Sequence, residues 1–150
     1  MSVVSSSQIQ RVIFRGSDDI EIILSSNSDI LTISGHNYKS EFTGNDLIIS
    51  KSRVIYLNAK VMPEIIIKGS GDVKLTGDGE NVEILSDGSG DMDASKLKVK
   101  NLTFTLNGSG NAKVYAWQRA DITLDGSGKV KIKGSPKIVN KMGNHAYNIK

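Results

Sequence analysis

The chain has no cysteine, two prolines, two histidines, one tryptophan and only 5% aromatic residues in 150. Lack of cysteine excludes disulfides, a thiol nucleophile and thiolate metal sites. The histidines, His36 and His145, lie far apart in the chain, so neither has a partner at metal-ligand spacing. There is no Gly-x-Ser-x-Gly elbow, and no serine that sequence spacing ties to a histidine base. No window of ten residues carries a helical apolar stripe. No run approaches the roughly 18 apolar residues of a membrane-spanning helix. The N-terminus, Met1–Arg11 (MSVVSSSQIQR), lacks a basic segment followed by an apolar one. The expectation is therefore no signal peptide. On that expectation the chain is cytoplasmic, or Met1 begins a trimmed fragment and its serines are a linker remnant.

Glycine is abundant, at fifteen residues, and it is placed periodically. The triplet Gly69-Ser70-Gly71 returns at Gly88-Ser89-Gly90, Gly108-Ser109-Gly110 and Gly126-Ser127-Gly128, so the first glycines are 19, 20 and 18 residues apart. A period near 19 marks a repeat architecture. Four residues before the first glycine of each triplet stand Ile65, Ile84, Phe104 and Ile122. Four after it stand Val73, Met92, Ala112 and Val130, and six after it Leu75, Ala94, Val114 and Ile132. The residues between are mostly polar, and a period of two is strand periodicity. Each repeat therefore reads as two short strands joined by a glycine corner. Such a unit cannot bury its inward side alone, and stacking in parallel aligns the inward positions into ladders. The expected fold is all-β, a parallel β-helix or β-solenoid with coils of about 19 residues. Ile65, Ile84, Phe104 and Ile122 should form one buried ladder. A sandwich of eight-residue hairpins is the rival, and the constant offsets favour the solenoid.

The whole chain, 1–150, reads as one domain: diverged coils over 1–61, then regular repeats and a C-terminal cap over 62–150. Strand-like runs cover 11–15, 19–24, 29–34, 46–50 and 53–57, with turns at Gly16, Gly35 and Gly44. The stretch from His36 to Asn45 reads as an insertion or long loop.

The net charge of +3 is unevenly spread. From Lys129 to Lys150 there are six lysines and no acidic residue, so the rest of the chain nets −3. Such an end either meets an anionic surface or keeps the last coil soluble and unstacked. Lys129, Lys131 and Lys133 alternate with Val130 and Ile132 and should project from one outward face. Tyr115, Trp117 and Arg119 stand one repeat earlier. An exposed tryptophan beside polar groups suits stacking on a sugar ring, and the alternative is a corner aromatic packed over the coil edge. Together these six residues form the candidate ligand face.

Other patterns point to little. Gly-Ser-Gly-Asp resembles calcium-binding β-roll repeats, but the period is doubled and the later triplets carry Asn111 and Lys129, so corner solvation is the expected role. A strand rather than a helix follows every triplet, which excludes a phosphate-cradling loop. Thr103-Phe104-Thr105 resembles an ice-binding array, yet the equivalent positions elsewhere hold Glu83, Leu85 and Asp121. Asp72, Asp91 and Asp93 would approach one another on adjacent coils, as in polysaccharide-cleaving β-helices. Three or more carboxylates converging in a groove would favour that reading.

Four triplets in register, followed by strands as in GSGDV, GSGDM and GSGNA, and then a Gly-x-Pro step at Gly134-Ser135-Pro136, resemble the auto-transporter adhesin head, or GIN domain, family. The resemblance covers almost the whole chain. It implies a β-helical fold, bacterial origin and export to the periplasm or cell surface. It carries over no catalytic residue. The missing export signal departs from the pattern, as does Met142-Gly143-Asn144 where a further triplet is expected. The function expected is a non-enzymatic, adhesin-like binding or structural module that meets a glycan or protein through a flat face. No cofactor, metal or specific nucleic acid is implied. A polysaccharide-acting enzyme and a homo-oligomeric assembly module are the alternatives.

Overall fold

The computed structural model describes residues 2–4, 9–29, 31–35, 38–50, 53–143 and 147–149. The fold is all-β. Six consecutive elements carry the repeats: β8 (Glu64–Gly69), β9 (Val73–Gly88), β10 (Met92–Gly108), β11 (Ala112–Tyr115), β12 (Arg119–Asp125) and β13 (Val130–Lys133). β14 (Ile138–Gly143) and β15 (Tyr147–Ile149) follow. Every pairing among these eight strands is parallel, which rules out the hairpin sandwich. Two ladders result. Ladder I stacks β8, the second half of β9, the second half of β10, β12 and β14. Ladder II stacks the first halves of β9 and β10, then β11, β13 and β15. β9 and β10 run 16 and 17 residues without a break, so each belongs to both ladders, where the sequence reading expects two short strands.

Register follows the triplets. Ile65 pairs with Ile84, Ile84 with Phe104 and Phe104 with Ile122, and all four are essentially fully buried. The extra residue in the 20-residue repeat is a β-bulge: pairing steps from Asp93↔Lys74 to Lys96↔Thr76. There the Asp93 carboxylate accepts both the backbone N–H and the hydroxyl of Ser95. The inward side is almost wholly apolar, with Ser86 the one buried polar residue among those described.

The triplets are glycine for a steric reason. A Cβ on Gly88 would strike the carbonyl oxygen of Gly69, and one on Gly108 that of Gly88. The third glycines obey the same rule, Gly90 against Gly71 and Gly110 against Gly90. Successive corners pass too closely for any side chain. The residue after each triplet donates its backbone N–H to the side chain of its counterpart one layer earlier in the stack. Asp72 N donates to Asp19 Oδ1 (2.9 Å), Asp91 N to Asp72 Oδ1 (2.9 Å), Asn111 N to Asp91 Oδ1 (2.9 Å) and Lys129 N to Asn111 Oδ1 (3.0 Å). These side chains satisfy corner amides, a structural task in place of the solvation expected from sequence.

The N-terminal part departs from a simple run of diverged coils. β2 (Arg11–Gly16) and β3 (Ile20–Ser25) form the first pair of repeat strands, joined by Gly16-Ser17-Asp18-Asp19. Gly16 lies opposite Gly69, so this segment is a cryptic version of the triplet corner. β6 (Asp46–Ser50) and β7 (Val54–Asn58) form the second pair. β2 lies between β6 and β8, and β3 between β7 and β9. The second pair therefore lies outside the first, and the chain crosses back over it to begin β8. Three further strands pair antiparallel at this end: β1 (Ser2–Val4) with β4 (Leu31–Gly35), β4 with β7, and β5 (Lys39–Thr43) with β6. The expected loop from His36 to Asn45 thus contains a strand, turning at Gly44 into β6. Thr43 pairs with Asp46, and the hairpin closes on a positive-φ glycine.

Ile13 and Ile66 break the alternation. They point away from the inward Val12, Phe14, Ile65 and Ile67, yet are only 7% and 5% exposed. They neighbour one another in register between Ile48 and Leu85, so one outward stripe of ladder I is apolar too.

Candidate functional site

The outer side of ladder II carries the candidate ligand face. In β13, Val130 and Ile132 are buried and Lys131 and Lys133 lie on the opposite side. Tyr115 pairs with Lys133, and Lys113 with Lys131. Lys98 Nζ lies 4.1 Å from the centroid of the Tyr115 ring, and Lys100 Nζ 5.7 Å from that of Trp117. Trp117 is 47% exposed at the corner after β11. Its backbone N–H is held by Val99 O (3.0 Å), which fixes the corner while leaving the indole accessible. A cation over each ring face is a favourable electrostatic contact.

Two of the six predicted residues lie apart from this cluster. Lys129 is exposed at the glycine corner, at the far end of β13 from Tyr115 and Lys133. Arg119 starts β12 on ladder I, where its Nε sits 2.8 Å from Asp121 Oδ2. Asp121 also accepts from Asn140 Nδ2 (2.6 Å). The Arg119 and Asn140 bonds hold the Asp121 carboxyl below its usual range, and the carboxylate in turn raises Arg119. Sequence reading missed Lys98 and Lys100. Each stands seventeen residues before its ring, close to one repeat, so the period itself held the signal.

A groove of about 570 Å³ runs along the corner side of ladder II. One wall is the ladder of Asp19, Asp72, Asp91 and Asn111. The other is Glu21, Lys74, Asp93 and Lys113, which neighbour one another in register. Ile20, Val73, Met92 and Ala112 lie between the walls. Carboxylates do converge here, the arrangement that sequence analysis marked as favouring a polysaccharide site. Asp93 is held below its usual pKa, first by the Ser95 hydroxyl bond, against the opposing effect of burial, and then to a lesser degree by the Ser95 N–H and the ammonium groups of Lys113 and Lys74. Among the described residues, no group of three or more His, Cys, Asp or Glu is arranged to hold a metal ion. His36 and His145 lie outside the described residues. Among the described residues no helix is long and apolar enough to cross a membrane, which says nothing of strands.

Repeats, register and corners together define a glycine-cornered, largely parallel-stranded all-β fold. Residues 2–136 match the family described as "Putative auto-transporter adhesin, head GIN domain", and the chain belongs to that family. No curated protein matches it. Among solved structures it is similar to a putative adhesin from Bacteroides fragilis NCTC 9343, at 16% identity and TM-score 0.47, over 95% of this chain and 91% of that one. It is also similar to a putative lipid binding protein from Parabacteroides distasonis ATCC 8503, at 19% identity and TM-score 0.40, over 100% and 94%.

Proposed function

We propose that this chain is a single β-solenoid domain, one turn per repeat of about 19 residues, acting as a non-enzymatic binding module of the bacterial cell envelope. Its ligand is an acidic glycan, held on the outer side of ladder II by Tyr115, Trp117, Lys131 and Lys133, with Lys98 and Lys100. Family membership supports an adhesin-type role at the envelope. The observation that carries the ligand class is a lysine over each of two neighbouring rings, Lys98 over the half-buried Tyr115 and Lys100 over the exposed Trp117. Rings offer a platform for the apolar face of a sugar, and the surrounding ammonium groups take its carboxylates or sulfates. Lys129 adds charge at the rim, and Arg119, already bound to Asp121, contributes less.

The corner groove favours a second reading, a polysaccharide-acting enzyme. A glycosidase needs a carboxylic acid whose pKa is raised so that it stays protonated. Asp93 is shifted the other way. Asp19, Asp72 and Asp91 are each occupied by a corner amide. Binding without turnover is therefore the better reading.

The test is calorimetric titration with oligogalacturonate at low and high salt. Wild type binds at low salt, and affinity falls steeply as salt rises. The Lys129→Gln/Lys131→Gln/Lys133→Gln variant, folded as wild type because it removes no core contact, loses most of that binding. Absence of binding at low salt, or survival in the variant, refutes the reading.

A further inference from the structure

We propose that the corner groove is a second binding site, adjoining the lysine-rich face at Lys113, and that its occupant is a linear β-1,4-linked amino-sugar chain. At about 570 Å³ it falls within the range of ligand clefts, roughly 300–1,000 Å³. Its first wall repeats one acceptor per layer. Asp19, Asp72 and Asp91 each use Oδ1 to accept a corner amide, while Oδ2 of each makes no hydrogen bond among the described residues. These free oxygens recur at the strand spacing of about 4.8 Å. The occupant must therefore offer donors at a similar interval along its length. An extended peptide repeats its side chains on one face every ~6.7 Å and falls out of step. A sugar chain offers amine or hydroxyl donors on every ring.

The second wall identifies the sugar. Its charge alternates layer by layer: Glu21, Lys74, Asp93, Lys113. A β-1,4-linked chain turns over at each ring, so it shows its amine to a given side at every second residue. Ammonium groups would meet Glu21 and Asp93, and ring or hydroxyl oxygens would meet Lys74 and Lys113. Five carboxylates against three cations line the groove, which matches a cationic chain. The opposite charge preference sets this site apart from the lysine-rich face.

The experiment uses three probes at a pH where amines are protonated: glucosamine hexamer, N-acetylglucosamine hexamer and spermine. Amide shifts of Asp72, Asp91 and Asn111 report on the groove. Asp72→Asn/Asp91→Asn keeps the Oδ1 acceptor, as Asn111 does in the same ladder, and removes the free carboxylate oxygens. Glu21→Gln tests the other wall without touching the corner. Glucosamine hexamer should move these amides saturably. Each variant should weaken it about tenfold or more, the scale of a lost charge-assisted hydrogen bond, while oligogalacturonate binding at the lysine face stays unchanged. The acetylated hexamer should bind at least about tenfold more weakly for the same reason. No shift with glucosamine hexamer, or undiminished affinity in both variants, overturns the site. Spermine binding as tightly as the hexamer overturns the sugar chain as its occupant.

Discussion

Ile122 pairs in register with Lys141, so the fully buried ladder through Ile84, Phe104 and Ile122 ends on an exposed lysine. β14, which carries Lys141, pairs with β12 alone among the described strands. A further layer stacked on β14 would have to bury that ammonium group, at a cost of several kcal/mol. Lys141 thus protects an open edge. Lys141→Leu should continue the apolar ladder to the end of the stack. Sedimentation velocity should show larger species for the variant than for the parent at equal concentration. Identical profiles would mean that the lysine does not control axial association.

Phe104 is 0% exposed and lies in register between Ile84 and Ile122. Phe104→Ala should cost roughly 3–5 kcal/mol in urea melts, because stacked layers on both sides prevent the cavity from collapsing. A loss below about 1 kcal/mol would show that the ladder is not the core.

At the corners, Gly88→Ala should be far more damaging than its single methyl suggests. The new Cβ meets the Gly69 backbone oxygen, and backbone cannot rotate aside. A loss beyond about 4 kcal/mol, or failure to fold, is expected. Asp72→Ala should cost about 0.5–1.5 kcal/mol by leaving the Asp91 amide without its acceptor, and Asp72→Asn should cost little. Equal effects of Asp72→Ala and Asp72→Asn would remove the amide ladder as the reason for the aspartates.

Acid should weaken the fold in a defined direction. The Asp121 carboxyl is lowered by the Arg119 and Asn140 bonds, and that of Asp93 first by the Ser95 hydroxyl. A carboxyl whose folded pKa is depressed stabilises fully above its unfolded value, near 3.8. That stability is lost as pH falls through the lower folded value. Melting temperature should therefore drop below pH 4. Asp121→Asn and Asp93→Asn should each flatten that drop, and unchanged slopes in both would refute the assignment.

The repeat portion was legible because one spacing governs both glycines and core. Triplet offsets gave the register of Ile65, Ile84, Phe104 and Ile122, and even the odd 20-residue step has a cause in the Asp93–Lys96 bulge. The N-terminal order was not legible. Nothing local in Asp46–Leu57 says that these strands lie outside Arg11–Leu24, since both segments have the same alternation and the choice is made by long-range pairing. Gly16-Ser17-Asp18-Asp19 was readable as a corner only once Gly16 was seen opposite Gly69. In the candidate face, strand parity alone put Lys131 and Lys133 on the side opposite the buried Val130 and Ile132. Parity alone could not show that Arg119 belongs to the other ladder and is held by Asp121.

Trp117 is the only tryptophan, so its fluorescence reports on one point of the proposed glycan face. Titration with oligogalacturonate at low salt should change Trp117 emission saturably. Raising the salt should move the midpoint to higher ligand concentration, and Lys100→Gln should weaken the response. Emission that stays constant through the titration, or that responds identically in high salt and in Lys100→Gln, would contradict glycan binding at this face.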